Sequence, residues 1–222
     1  MAPIKAIAAG LLCVGALWGC ASTPADAPAN PAKPYATYTQ AASGMRYPAM
    51  IRDYKRVAVT RYNEDGTDES VGYNRVTPGT EISATIYVYP SPAVSGAGAP
   101  ELVAAERARK CGQQFQAALG ELTIVHRDAV LISDGDVVLR QAGARYAGHK
   151  TVHKYAAPFD FFGRAHAPLM SETYMFCFVG GFWTVEYRID YPRDYDAHAD
   201  IAAFMHDLRW TIRRGGSRAH PD

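Results

Sequence analysis

Residues 172–191 place the tightest constraint on what this chain can fold into. Glu172 to Val179 and Phe182 to Tyr191 read as two strands joined by Gly180-Gly181, a pair suited to the positive φ of a tight hairpin. In the second strand Trp183, Val185, Tyr187, Ile189 and Tyr191 share one face, and Thr184, Glu186, Arg188 and Asp190 share the other. Alternation with a period of two, apolar on one side only, calls for a sheet with one face packed on a core.

The rest of the chain supplies partners for that hairpin. Arg56 to Tyr62 alternates in the same way, and Asn63-Glu64-Asp65-Gly66-Thr67 is a turn signal. Val71 to Val76 and Glu81 to Pro90 then complete an antiparallel meander. Ile82, Ala84, Ile86 and Val88 form the apolar face of its last strand, and Tyr87 and Tyr89 line the other. After a Gly/Pro/Ser/Ala loop, Pro100 and Glu101 suit a first helical turn. Leu102, Ala105, Ala108, Cys111, Phe115, Ala118, Leu119 and Leu122 recur at helical spacing, which predicts an amphipathic helix reaching about His126. Val130-Leu131-Ile132 and Val137-Val138-Leu139 flank Ser133-Asp134-Gly135-Asp136, the signature of a hairpin, and Gly148 to Ala156 follows as a strand. Past Pro192, Asp194 or Asp196 is placed to cap a final helix whose stripe is Ile201, Phe204, Met205, Leu208 and Ile212. Arg213 and Arg214 suit its negative end, and Gly215 its C′ position.

Strands, helix, strands, helix predict an α+β fold, an antiparallel β-sheet with two long amphipathic helices packed on it. The order of these elements resembles the PsbP/Mog1-like domains. Two stretches add to the likeness: the tyrosine-rich strand Ile86-Tyr87-Val88-Tyr89-Pro90 before the first helix, and the closing strand Val185 to Pro192 ahead of the last. The resemblance spans Arg56 to Arg214 and implies a layered sandwich that binds, assembles or stabilises. It carries over no catalytic residue.

The N-terminus reads differently. Lys5 gives a positive region, Ala6 to Trp18 an uncharged apolar run, and Leu17-Trp18-Gly19-Cys20 follows at its end. The run is shorter than the roughly 20 residues a transmembrane helix needs. This pattern resembles the lipobox of bacterial lipoprotein signals, although the lipobox usually has a small residue where Trp18 stands. The resemblance implies removal of residues 1–19 and acylation of Cys20, with more than one chain for firm anchoring. Ala21, where Asp would signal inner-membrane retention, implies an outer-membrane anchor facing the periplasm. Residues 20–45 then form a lipidated tether, in which Thr23-Pro24, Ala27-Pro28, Asn30-Pro31 and Lys33-Pro34 favour extended polyproline geometry. Residues 46–214 form a single domain, and residues 215–222 a loose tail.

Without its leader the chain keeps about 200 residues, of which some 170 fold, enough for one domain with a substantial core. Twenty-three basic residues against 22 acidic ones leave a formal charge of +1, so no global field favours nucleic acid. Of four cysteines, Cys13 leaves with the leader and Cys20 takes lipid. Cys111, on the apolar face of a helix, and Cys177, on a strand, remain as a pair that an oxidising compartment can bridge or that stays buried and reduced.

Chemistry is harder to find. His149 and His153 are four apart on a strand, a spacing of ~13 Å, and His198 and His206 lie about two turns apart on a helix. Neither pair can chelate one ion, and no metal-binding or cofactor motif appears. There is no Gly-x-Ser-x-Gly elbow, and Gly96-Ala97-Gly98 lacks the lysine and strand–helix setting of a phosphate loop. Glu186 and Arg188 share a strand face, with Glu172 on the neighbouring strand. That grouping is a cross-strand ion pair on the bland view and a general base if buried. Phe159-Asp160-Phe161-Phe162, followed by Arg164 and His166, is the best candidate for partner or ligand contact, since clustered exposed apolar side chains mark such sites. The alternative is that the rings fold over the sheet edge and close the core. Tyr87 and Tyr89 are a second candidate surface. Together these features point to a non-catalytic binding or envelope-assembly module, held to membrane lipid through acylated Cys20, with an envelope protein as partner and no cofactor. The competing readings are an envelope hydrolase with an unconventional carboxylate or histidine site, and a carrier of a small apolar ligand.

Overall fold

The computed structural model describes residues 36–156, 159–166 and 168–213. The leader, Cys20, most of the tether, Gly215 and the tail lie outside the described residues, which all belong to the unit Ala32–Asp222. Its first strands are short. β1 (Tyr38–Thr39) pairs with β2 (Arg46–Tyr47), and β3 (Met50–Ile51) forms one edge of the main sheet. The expected tether boundary at residue 45 is therefore too late. Met45 and Tyr47 are fully buried, and Gln40 Nε2 donates to the carbonyls of Val88 and Gly66 at 3.1 and 3.3 Å.

The meander follows as β4 (Tyr54–Arg61), β5 (Glu69–Arg75) and β6 (Ile82–Pro90). Helix α1 (Pro100–Val125) leads to β7 (Ala129–Gln141) and β8 (Ala144–Tyr155), and a small hairpin, β9 (Phe159–Phe161) with β10 (Arg164–His166), comes next. β11 (Leu169–Val179), β12 (Trp183–Pro192) and α2 (His198–Asp207) complete the chain. Eight strands form one antiparallel sheet in the order β3-β4-β5-β6-β12-β11-β8-β7. β12 thus closes onto β6, and the hairpin that constrained the sequence reading lies at the centre of the sheet.

The two faces of the sheet differ as the alternation of β12 requires. On one, Val71, Ile82, Ile86, Val88, Val185, Tyr187 and Ile189 are buried with Ile201, Phe204, Met205 and Leu208 of α2. The Phe204 ring meets Tyr54 at 4.5 Å and Tyr73 at 5.5 Å. Burying each such side chain contributes on the order of 2 kcal/mol. Arg75 fastens the helix, with its Nη1 2.7 Å from Asp200 Oδ2 and its Nη2 donating to the Tyr195 hydroxyl.

Three expectations are corrected. Ser133 to Asp136 is not a hairpin turn, because β7 runs straight through it and Gly135 does not take positive φ. The reversal comes later, at Ala142-Gly143, where both residues take positive φ (48° and 83°), as a tight antiparallel turn demands. The final helix is not long. It has ten residues and stops at Asp207, after which the chain runs to Arg213 without helix. That exit lets Trp210 lie against Phe176 and donate from Nε1 to the Tyr187 hydroxyl at 2.7 Å. It also lets Thr211 Oγ1 accept from the Arg46 amide. Helix α1 is long, 26 residues, but only Cys111, Phe115, Ala118 and Leu122 of its stripe are buried, and Leu102 is 67% exposed.

Candidate functional site

Helix α1 lies on the polar face of the sheet. Cys111 is joined to Cys177 of β11 by a disulfide with a Cα–Cα separation of 5.8 Å. Cys177 and Phe178 fall in a bulge where the register of β11 against β12 shifts, and the Ser91 hydroxyl accepts the amide of Phe178 at 2.8 Å. Below the disulfide, Phe115 and Ala118 pack on Met175, and Leu122 packs with Tyr155, Phe161 and Leu169. Phe161 is thereby buried, and Phe162, in the turn of the β9–β10 hairpin with φ 54°, packs edge-on to it at 4.5 Å. These two rings close the core under the end of α1. Phe159 and Arg164 lie on the paired strands of the hairpin, their side chains outside the described residues, and Cys20 is likewise outside.

Beside and beneath α1, register fixes a block of polar side chains on three central strands. His153, Ser171 and Asp190 stand in one cross-strand row, and Thr151, Thr173 and Arg188 in the next. Thr151 Oγ1, Thr173 Oγ1, His153 Nδ1 and Asp190 Oδ1 are sealed from solvent and find no hydrogen-bond partner among the described residues. Such a group costs about 1–3 kcal/mol. Ser171 is hydrogen-bonded to Asp190 and to Tyr155, and His126 stacks on the Tyr155 ring at 3.9 Å. Burial pushes the Asp190 carboxyl up and the His153 imidazole down, each shift disfavouring the charged form.

Further along the same face, charge is paired off. The Arg188 guanidinium meets Glu186 Oε1 at 2.5 Å and Glu121 of α1 at 3.4 Å, and Tyr89 donates to Glu186 Oε2 at 2.6 Å. Arg188 also lies 4.7 Å from the centre of the Tyr87 ring, which stacks on Tyr62 at 6.2 Å. Burial pushes the Tyr87 phenol up to about 12. Tyr62 is 54% exposed, so this stack is the part of the site that reaches solvent. The half-buried Ser83 and Thr85 of β6 continue it along the sheet.

Glu172 does not join this group. It is opposite Ile189 in the register and so points to the other face. There Lys150 Nζ lies 2.8 Å from Oε2, Tyr191 donates to Oε1 at 2.8 Å, and Tyr174 donates a further hydrogen bond. Although burial pushes the Glu172 carboxyl up, Lys150 and the two phenols outweigh it and hold it below its ordinary value. The carboxylates therefore do not converge.

His149 and His153 share a face of β8 but do different things. His149 stacks on Phe115 at 5.3 Å and approaches Asp136, while His153 is buried. His198 and His206 lie on α2, with His206 Nδ1 2.8 Å from Asp207. Among the described residues no three histidine, cysteine or acidic side chains group as metal ligands. The buried block escaped sequence reasoning because Lys150-Thr151-Val152-His153-Lys154 is polar on both faces, and nothing in it marks which side α1 covers. No family model matches the chain, and no curated protein sequence matches it.

Proposed function

We propose that the chain is a bacterial lipoprotein, anchored in the outer membrane and facing the periplasm, whose folded part is a non-catalytic binding or envelope-assembly module. Acylated Cys20 holds it to membrane lipid, and its partner is an envelope protein. The folded part is read as PsbP/Mog1-like on the order of its elements, meander, helix, strands, helix, although α2 is shorter than the likeness implies.

One observation carries the non-catalytic reading: Glu186 and Glu172, the two carboxylates the sequence offers as a general base, are already bound. Glu186 is held by Arg188 and Tyr89, and Glu172 by Lys150, Tyr174 and Tyr191. A general base needs a carboxylate free to take a proton from a substrate. The exposed Tyr62, backed by Tyr87 and Arg188, offers instead an aromatic contact surface of the kind that anchors protein interfaces.

Growth with labelled palmitate followed by fractionation tests the anchor. The expected result is label on the wild-type protein in the membrane pellet, and no label on Cys20→Ser. An unlabelled wild-type protein in the soluble fraction would overturn this reading. For the contact surface, a photocrosslinking residue at position 62 should capture one envelope protein reproducibly, and the same residue at the exposed Val76 should not. Equal capture at both positions would remove the surface from consideration.

A further inference from the structure

The two edges of the sheet are unlike. At one end β3 contributes only two residues, Met50–Ile51, a length that offers little to an incoming strand. At the other end β7 runs for 13 residues from Ala129 to Gln141, with all but its last residue exposed or half-buried. It contains neither lysine nor proline, two of the means of blunting an edge, and its charges are Asp134, Asp136 and Arg140. Its one irregularity against β8 lies between Leu131 and Ser133, and from Ser133 to Gln141 the register is unbroken. Among the described residues no strand pairs with the outer side of those nine, where alternate residues turn their backbone donors and acceptors away from β8.

Their charges specify an occupant. Among the described residues Asp134 and Arg140 make no ion pair, whereas Asp136 faces His149 Nδ1 at 3.2 Å. Arg140 is directly opposite Arg145 on β8, a like-charge cross-strand neighbour that is unfavourable until an acid arrives on the free side. Asp134 and Arg140 point to the same face of the strand and lie symmetrically about Val137. A two-fold axis through Val137 therefore places Asp134 of each copy opposite Arg140 of the other. It sets Gly135 against Leu139 and Val137 against itself, and no acid stands directly opposite an acid. The same axis leaves the bulge at Ile132 outside the paired stretch.

The geometry points to β7 as an isologous docking edge for a second copy of this chain. Two sheets join there antiparallel across Ser133–Gln141, in the register that pairs Asp134 with Arg140 of the second copy. This inference is independent of the anchor and of the Tyr62 surface.

Single cysteines read the register directly, because directly opposed residues of antiparallel strands have Cα atoms ~4.5–5.5 Å apart, within disulfide reach. The full chain carrying Val137→Cys, in mild detergent under gentle oxidation, should form a disulfide-linked dimer on non-reducing gels. Its yield should be at least fivefold above that of Val57→Cys, an exposed position on β4. Asp134→Arg or Arg140→Asp, added singly to Val137→Cys, should cut that yield several-fold, and the two together should restore it. Cross-linking at position 137 no better than at position 57 would overturn the inference. So would capture of a different protein in place of a second copy, or a double exchange that fails to rescue the single ones.

Discussion

At the scale of single residues, the polar block beside α1 makes two measurable claims. Thr173 Oγ1 is buried without a partner among the described residues, so Thr173→Val replaces a stranded hydroxyl by a methyl of similar size. We expect the variant to be more stable by about 1 kcal/mol in urea denaturation. A loss of that size would mean that the hydroxyl is satisfied in solution. Asp190 and Glu172 should respond to pH with opposite sign. Glu172 is held below its ordinary value, so its contribution is present above about pH 4.5, the unfolded value, and is lost as pH falls through the lower folded one. The Asp190 carboxyl is raised, so its ionisation costs stability at neutral pH, and that cost is relieved as pH falls through the folded value toward 3.8. Asp190→Asn should therefore gain stability over wild type at pH 7, with the gain shrinking to nothing near pH 4. Lys150→Met should lose stability at pH 7 and lose progressively less as Glu172 protonates. A gain from Asp190→Asn that did not vary with pH would refute the assignment.

At the scale of elements, α1 depends on its covalent link. It buries four side chains against a face rich in hydroxyls, so its apolar contact is thin. The link between Cys111 and Cys177 closes 66 residues of chain, and the entropy of that loop corresponds to about 4 kcal/mol. Replacing both cysteines by alanine should lower stability by that order. Hydrogen exchange along α1 should also accelerate more than in β6 and β12, which lie at the centre of the sheet. Equal acceleration in all three would mean that the helix is not held separately. The elements themselves were mostly legible. The alternation in β4, β5, β6, β11 and β12 and the long helical stripe each had one physical solution. What misled was local chemistry overruled from a distance. Asp134-Gly135-Asp136 has the composition of a turn, yet the strand passes through it, and an alanine takes positive φ at the true reversal. Ile212 fits the stripe of α2, yet Trp210 is drawn onto Phe176 and Tyr187 and ends the helix early. The candidate contact at Phe161 and Phe162 was legible as an aromatic cluster. Which way the rings turned depended on Leu122 and Leu169, which lie far off in sequence.

For the molecule as a whole, the main departure from the sequence reading is where the body begins. The Pro/Ala composition of residues 21–34 gives way to Tyr38-Thr39-Gln40, a stretch with too few residues for periodicity to register. Yet it ties the sheet together at its middle. Tyr38 donates to Glu69 at 2.5 Å, Arg61 meets the same carboxylate at 2.9 Å, and Gln40 reaches the backbone of β6. The amide of Arg213 returns to the Ser43 carbonyl, and Thr211 donates to that of Gly44, so both ends of the described chain meet over the sheet. Removing residues 32–45 strips the fully buried Met45 and leaves Glu69 with one partner instead of two. A chain starting at Arg46 should therefore be less stable than one starting at Ala32 by about 4 kcal/mol, in the range for deleting one large core side chain. Adding Tyr38→Phe to the longer chain separates the contributions. It should cost about 1 kcal/mol through the lost hydrogen bond to a buried carboxylate, leaving most of the difference to Met45 and to the exposure of Tyr47. Equal urea midpoints for the two starting points would show that the N-terminal strands rest on the sheet without stabilising it.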